Sequence, residues 1–171
     1  MIEYYYEGEK YINRNGKWLD SRYLAVPKAI ESILNQRLIK DVDFESKTME
    51  ELIEIIDGSR AADNIYLASQ ALEAAIRKAS VNEIRMLLPR LTSNYRKMGR
   101  PQTAIDISKS YTDEYKKKVW SPALFTSIAA AYCDLDDYLT ARKFANLARS
   151  ISGEQASIEL ISVYKRIKEA E

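Results

Sequence analysis

The sequence predicts a mainly α fold, in which antiparallel helix pairs follow a small N-terminal antiparallel β-meander and its covering helix. Three observations predict it. Composition changes along the chain, because five of the twelve Tyr, together with Trp18, lie in the first 23 residues, whereas the later chain is rich in Ala, Leu and Ile. Helix-start signals then recur. Finally, an aromatic-to-small spacing repeats between successive predicted helices.

The N-terminal part is read as strands because turn dipeptides punctuate it. Asn15-Gly16 lies between Lys10-Tyr11-Ile12-Asn13 and Lys17-Trp18-Leu19, and Glu7-Gly8 offers an earlier turn. Asn-Gly readily supplies the positive φ angles of a tight hairpin. A helix starting at Pro27 places Ile30, Ile33, Leu34 and Leu38 on one side, and it is expected to cover the strands, since two strands alone are marginal. A boundary is expected at Asp41 to Lys47, giving domains at 1–47 and 48–171. Asp41, Asp43, Glu45 and Lys47 include the residue types of nuclease metal sites, but their spacing is too compressed for the usual two-strand arrangement, so the stretch reads as a linker.

Later helices are predicted at 48–57, 61–79, 81–98, 102–114, 122–134, 137–150 and 154–169. Thr48 with Glu51, Ser80 with Glu83 and Ser152 with Gln155 each have capping-box spacing. Pro101 and Pro122 stand near two other starts, where a missing backbone N–H costs little. Short connections make neighbouring helices antiparallel.

Leu88, Leu91, Thr92 and Tyr95 are followed by Ala104 and Ser108, and Phe125, Ile128, Ala129 and Tyr132 by Ala141, Ala145 and Ala148. The Tyr-to-Ala interval is the same in both. Ser157, Leu160, Ile161 and Tyr164 continue the pattern as a lone closing helix, and Leu52, Ile55, Ile56 and Ser59 precede Ala68 and Leu72 in a degenerate first unit. This pattern resembles the tetratricopeptide repeat, over roughly residues 48–171. Phe125 replaces the usual Trp, Ser59 stands where the family carries an aromatic residue, and Gly153 stands where Pro often closes a unit. The resemblance implies a right-handed stack of antiparallel helix pairs, a solenoid, whose first helices line a concave wall. The residues before Lys47 resemble no family.

Composition excludes more than it identifies. With 26 Lys and Arg against 25 Asp and Glu, the formal charge of +1 gives no whole-chain case for nucleic acid or an anionic membrane. No His and a single Cys remove Ser-His and Cys-His nucleophiles, His-ligated metals and an intrachain disulfide. No phosphate-cradling glycine loop is present, and Asp134, Asp136 and Asp137 lack the Gly and distal Glu of a calcium loop. No catalytic set, cofactor or metal is therefore expected. The N-terminus lacks a secretory signal and no window suits a bilayer, so a cytoplasmic protein is expected.

The repeat resemblance implies a non-catalytic protein-interaction module that holds a partner peptide or helix in its groove. Spacing nominates Met86, Ser93 and Arg96, then Thr126, Ala130 and Cys133, then Ile158 and Lys165 as groove residues. Arg96 is expected to meet a partner carboxylate or carbonyl, and self-association is the other use of the same face. The alternative is a nucleic-acid-binding regulator. It would use Lys10, Arg14, Lys17 and Trp18 of the meander together with the basic 85–100 surface, since residues 81–120 carry nine basic and four acidic side chains.

Overall fold

The computed structural model describes residues 2–14, 16–61, 63–153 and 155–170. The chain is mainly helical, with a three-stranded antiparallel sheet at its N-terminal end. It forms two compact units, Met1–Lys78 and Ala79–Glu171. The boundary expected at 47/48 falls inside the first of them.

In the first unit β1 (Ile2–Tyr6), β2 (Glu9–Arg14) and β3 (Lys17–Asp20) pair in sequence order. Glu7 and Gly8 both take positive φ, 51° and 83°, as the tight β1–β2 turn requires. At the second turn Gly16 has φ 83°, and Asn15 lies outside the described residues. Register places Ile2, Asn13 and Trp18 side by side across the sheet, and Tyr4 opposite Tyr11. Helix α1 (Lys28–Asp41) covers that face and buries Leu34, Asn35 and Leu38. Its polar groups reach back to the strands. The Trp18 indole N–H donates to Asn35 Oδ1 at 2.6 Å, and the Tyr4 hydroxyl donates to Asp41 at 2.6 Å. Burial, reinforced by that bond, pushes the Tyr4 phenol up to about 12.

The stretch expected to be a linker is instead an ordered turn. A 3-10 turn at Phe44–Ser46 buries Phe44, and Asp43 Oδ1 accepts the N–H groups of Glu45 and Ser46. Arg77 pairs with Glu45, and the Lys78 ammonium donates to the carbonyl oxygen of Lys47 at 2.7 Å. Sequence spacing missed this because the partners, Arg77 and Lys78, lie more than 30 residues downstream. Helices α2 (Met49–Ala61) and α3 (Ile65–Lys78) complete the unit. Helix α2 runs through Gly58 past the expected end at 57; the buried Ile56 and Ser59 hold its last turns in place.

The second unit contains α4 (Val81–Lys97), α5 (Pro101–Tyr115), α6 (Pro122–Asp134), α7 (Tyr138–Ser152) and α8 (Ile158–Glu169). Helix α6 lies among the other four, and Leu124 to Ala131 and Cys133 are all buried. Ser152 and Gln155 form no capping box. Helix α7 continues through Ser152 and closes on Gly153 at φ 69°, while Ser157 caps α8 by accepting the Leu160 N–H at 3.1 Å. Glu154, the expected start of that helix, lies outside the described residues. The buried stripe of α8 is Leu160, Val163 and Ile167 rather than Leu160, Ile161 and Tyr164.

One turn recurs three times. The carbonyl oxygens of Ser59, Tyr95 and Tyr132 accept the N–H five residues on, from Asn64, Arg100 and Asp137, at 2.8, 2.9 and 3.0 Å. The residue before each donor has positive φ: Asp63 at 56°, Gly99 at 71° and Asp136 at 59°. This is the Schellman closure of a helix, in which a left-handed residue lets the chain satisfy orphan carbonyls and reverse. It joins α2 to α3, α4 to α5 and α6 to α7. Small residues allow close approach within the later pairs. Thr92 Oγ1 lies 2.7 Å from Ser108 Oγ between α4 and α5, and Ala129 of α6 and Ala145 of α7 are fully buried.

Carboxylates cap three of these helices. Thr48 with Glu51 and Ser80 with Glu83 form reciprocal boxes, and Asp137 accepts the Thr140 N–H. Hydrogen bonds to the Thr48 backbone, to Ser80 and to Thr140 hold Glu51, Glu83 and Asp137 below the usual carboxylate range. Lowered folded values mean that their contribution is present above the unfolded pKa and is lost as pH falls through the folded one. Urea midpoints measured from pH 7 to pH 3 are therefore expected to fall less for the triple variant Glu51→Gln, Glu83→Gln, Asp137→Asn. An unchanged acid slope would contradict the assignment.

Candidate functional site

The residues nominated from spacing fall into three environments. Thr126, Ala130 and Cys133 are only 1–2% exposed, so this α6 stripe, expected on an open floor, lies inside the packed unit. Its burial follows from α6 being surrounded by four helices. Burial also pushes the Cys133 thiol up, Asp134 adds to this, and Arg166 and Arg96 oppose it. That is the setting of a packing residue rather than a nucleophile.

Arg96 does not stand open to a partner. Its Nε donates to Asp134 Oδ2 at 2.8 Å and its Nη1 to Glu159 Oε1 at 3.1 Å, and Arg166 Nη1 meets the other Asp134 oxygen at 2.8 Å. Two cations and two carboxylates thus tie the C-terminal ends of α4 and α6 to α8. The carboxylate that the sequence assigned to a partner is supplied by the chain itself. Beside this network a shallow cleft of about 600 Å³ is lined by Ser93, Arg96, Lys97 and Gly99, among others. Ser93 is half-buried there. Sequence reasoning missed Asp134, Glu159 and Arg166 because they lie 38 or more residues beyond Arg96.

Met86, Ile158 and Lys165 remain on the surface. Met86 is 74% exposed and Ile158 88%, and Ile161, 57% exposed, joins Ile158 one turn along α8. Ile158, Ile161, Ser162 and Lys165 follow helical spacing and lie opposite the buried Leu160, Val163 and Ile167. Lys165 pairs only loosely with Glu169, at 3.7 Å between two exposed side chains.

The chain matches no family model, no curated protein and no solved structure. Chemistry must therefore be read from its own side chains. Among the described residues, no group of three or more His, Cys, Asp or Glu is placed to hold a metal ion, and no helix is long and apolar enough to cross a membrane.

The meander residues fare differently from the nucleic-acid expectation. Trp18 is 1% exposed and engaged with Asn35, so its ring offers no face to a base, and Tyr11 is buried beside it. Small sheets need such rings as core. Lys10 pairs with Glu3 at 2.8 Å, while Arg14 and Lys17 lie exposed and opposite each other in the register. Behind Trp18 lies a buried amide network: Asn64 Nδ2 donates to Asn35 Oδ1 at 2.9 Å and to the Gly16 carbonyl at 3.1 Å, and Asn64 Oδ1 accepts the Leu67 N–H.

Proposed function

We propose that this chain is a non-catalytic protein-interaction module of the cytoplasm, whose helical unit seats an acidic amphipathic segment of another protein along the outer face of α8. The supporting observation is the exposure of Ile158 and Ile161, 88% and 57%, on a short helix whose other side is fully used in packing. Adjacent exposed branched aliphatics are the type of surface that a partner removes from water. Charge selects the partner's sign. Residues 79–171 carry 15 Lys and Arg against 11 Asp and Glu, and Lys165 and Lys168 flank the two isoleucines. A partner with carboxylates beside its apolar stripe complements that surface.

The test is affinity capture from the native host with a photo-crosslinker at residue 161, comparing the parent chain with the double variant Ile158→Asp, Ile161→Asp. Both positions are exposed, so folding is expected to survive. The expected result is an acidic crosslinked segment, lost by about tenfold or more in the variant and weakened by salt. Equal capture by the variant, or crosslinks confined to a second copy of this chain, would overturn the proposal. The nucleic-acid reading is weaker, because its stacking ring is buried and residues 1–78 carry 14 acidic against 11 basic side chains.

A further inference from the structure

Ser59, Tyr95 and Tyr132 hold the same place in the recurring turn, with their carbonyls accepting the same backbone bond. At two of these places stands an aromatic ring: Tyr95 is 8% exposed with the Arg100 guanidinium 5.6 Å from its ring centre, and Tyr132 stacks on Phe144 of α7 with ring centres 5.4 Å apart. At the third there is only a hydroxymethyl group. A cleft of about 510 Å³ opens beside it, bounded by β1, β2, the end of α1, the 3-10 turn, α2 and α3. Large-to-small replacement at a packed position leaves space unless its neighbours collapse.

The wall of this cleft is not purely apolar. Leu38, Val42, Ile55 and Leu67 supply an apolar lining, but Asn13 and Ser59 also line it, and they are 7% and 1% exposed. Asn13 Nδ2 and Ser59 Oγ have no hydrogen-bond partner. The amide orientation is not arbitrary, because Asn13 Oδ1 accepts the Gly16 N–H at 3.0 Å, which leaves the NH2 group as the unused donor. Buried polar groups without partners are uncommon and costly, and two in one wall constitute an offer of hydrogen bonds. Acidic side chains predominate at the rim. Asp41, Asp43 and Glu54 line it against a single cation, Lys47.

We infer that this cleft binds a small uncharged or cationic molecule with an apolar body and a carbonyl-type acceptor, the acceptor meeting Asn13 Nδ2 and Ser59 Oγ and any amine facing the rim carboxylates. The site belongs to the first unit and does not depend on the partner face of α8. Anionic ligands are disfavoured by the rim, and a cleft of about 510 Å³ has room for a single ring.

Three probes sharing one benzamide body test it by NMR on the full chain: benzamide, 4-(aminomethyl)benzamide and 4-carboxybenzamide. The expected result is that 4-(aminomethyl)benzamide shifts the Asn13 side-chain amide and saturates near about 1 mM, as suits so small a ligand. Benzamide binds more weakly, and the carboxylate analogue does not bind. Ser59→Ala weakens the best probe by about tenfold while leaving the urea midpoint unchanged or higher, since a merely orphaned hydroxyl is a liability to the fold. Ser59→Tyr, which restores the ring found at the equivalent turns, abolishes binding; should it fail to fold, the Ser59→Ala ratio decides alone. Absence of any Asn13 shift, equal binding by Ser59→Ala, or preference for the carboxylate analogue would overturn the proposal.

Discussion

Asn35→Leu is expected to destabilise the first unit by about 2–5 kcal/mol, although it replaces a buried polar side chain with an apolar one of similar size. Asn35 Oδ1 is the acceptor for two buried donors, the Trp18 indole and the Asn64 amide. Removing it strands both inside the packed face between sheet and α1, and each buried donor without a partner costs about 1–3 kcal/mol. Asn64 keeps its bond to the Gly16 carbonyl, so most of the loss falls on Trp18. Urea unfolding followed by Trp18 fluorescence, with Trp120→Phe as background, measures it. A loss below about 0.5 kcal/mol, the size of an ordinary surface substitution, would show that the amide network is incidental.

Arg96→Glu is expected to loosen α8 by about 2 kcal/mol or more, because a carboxylate placed against Asp134 and Glu159 turns two attractions into repulsions in a half-buried setting. The Arg96 side chain is 16% exposed and that of Asp134 26%, so water screens them incompletely. Hydrogen exchange of the α8 amides reports the loosening directly. The charge-reversed double variant Arg96→Glu, Glu159→Lys, in which Asp134 keeps its bond to Arg166, is expected to recover part of the protection; its failure to do so would place the effect outside the ion pairs. The variant also separates two roles. Loss of partner capture accompanied by faster α8 exchange marks Arg96 as a positioning residue, whereas loss at unchanged exchange would restore the direct contact that spacing suggested.

Elements with local causes were legible. Thr48 with Glu51 and Ser80 with Glu83 are reciprocal capping boxes at the expected places, because a cap needs only residues three apart. Ser152 with Gln155 has the same spacing and fails, since the buried Ala141, Ala145 and Ala148 carry α7 onward and Gly153 offers a better stop. The aromatic-to-small interval located the turns after Tyr95 and Tyr132, and the departure at Ser59 marked the place where the cleft opens. At the candidate site the legible part was exposure at Met86, Ile158 and Lys165. Arg96 was found without its carboxylate partners, because Asp134 and Glu159 come from other helices.

What the amino-acid order determined by itself was the succession of strands and α-helices, the capping boxes at Thr48 and Ser80 and the reversals after Tyr95 and Tyr132, all set by interactions a few residues long. Tertiary structure alone decided which face of α6 is buried, which charges neutralise Arg96, why Trp18 is core and where two polar atoms go unpartnered. The partners of Trp18 and Arg96 lie 17 to 63 positions away, brought near by packing, and neither spacing nor composition carries that information.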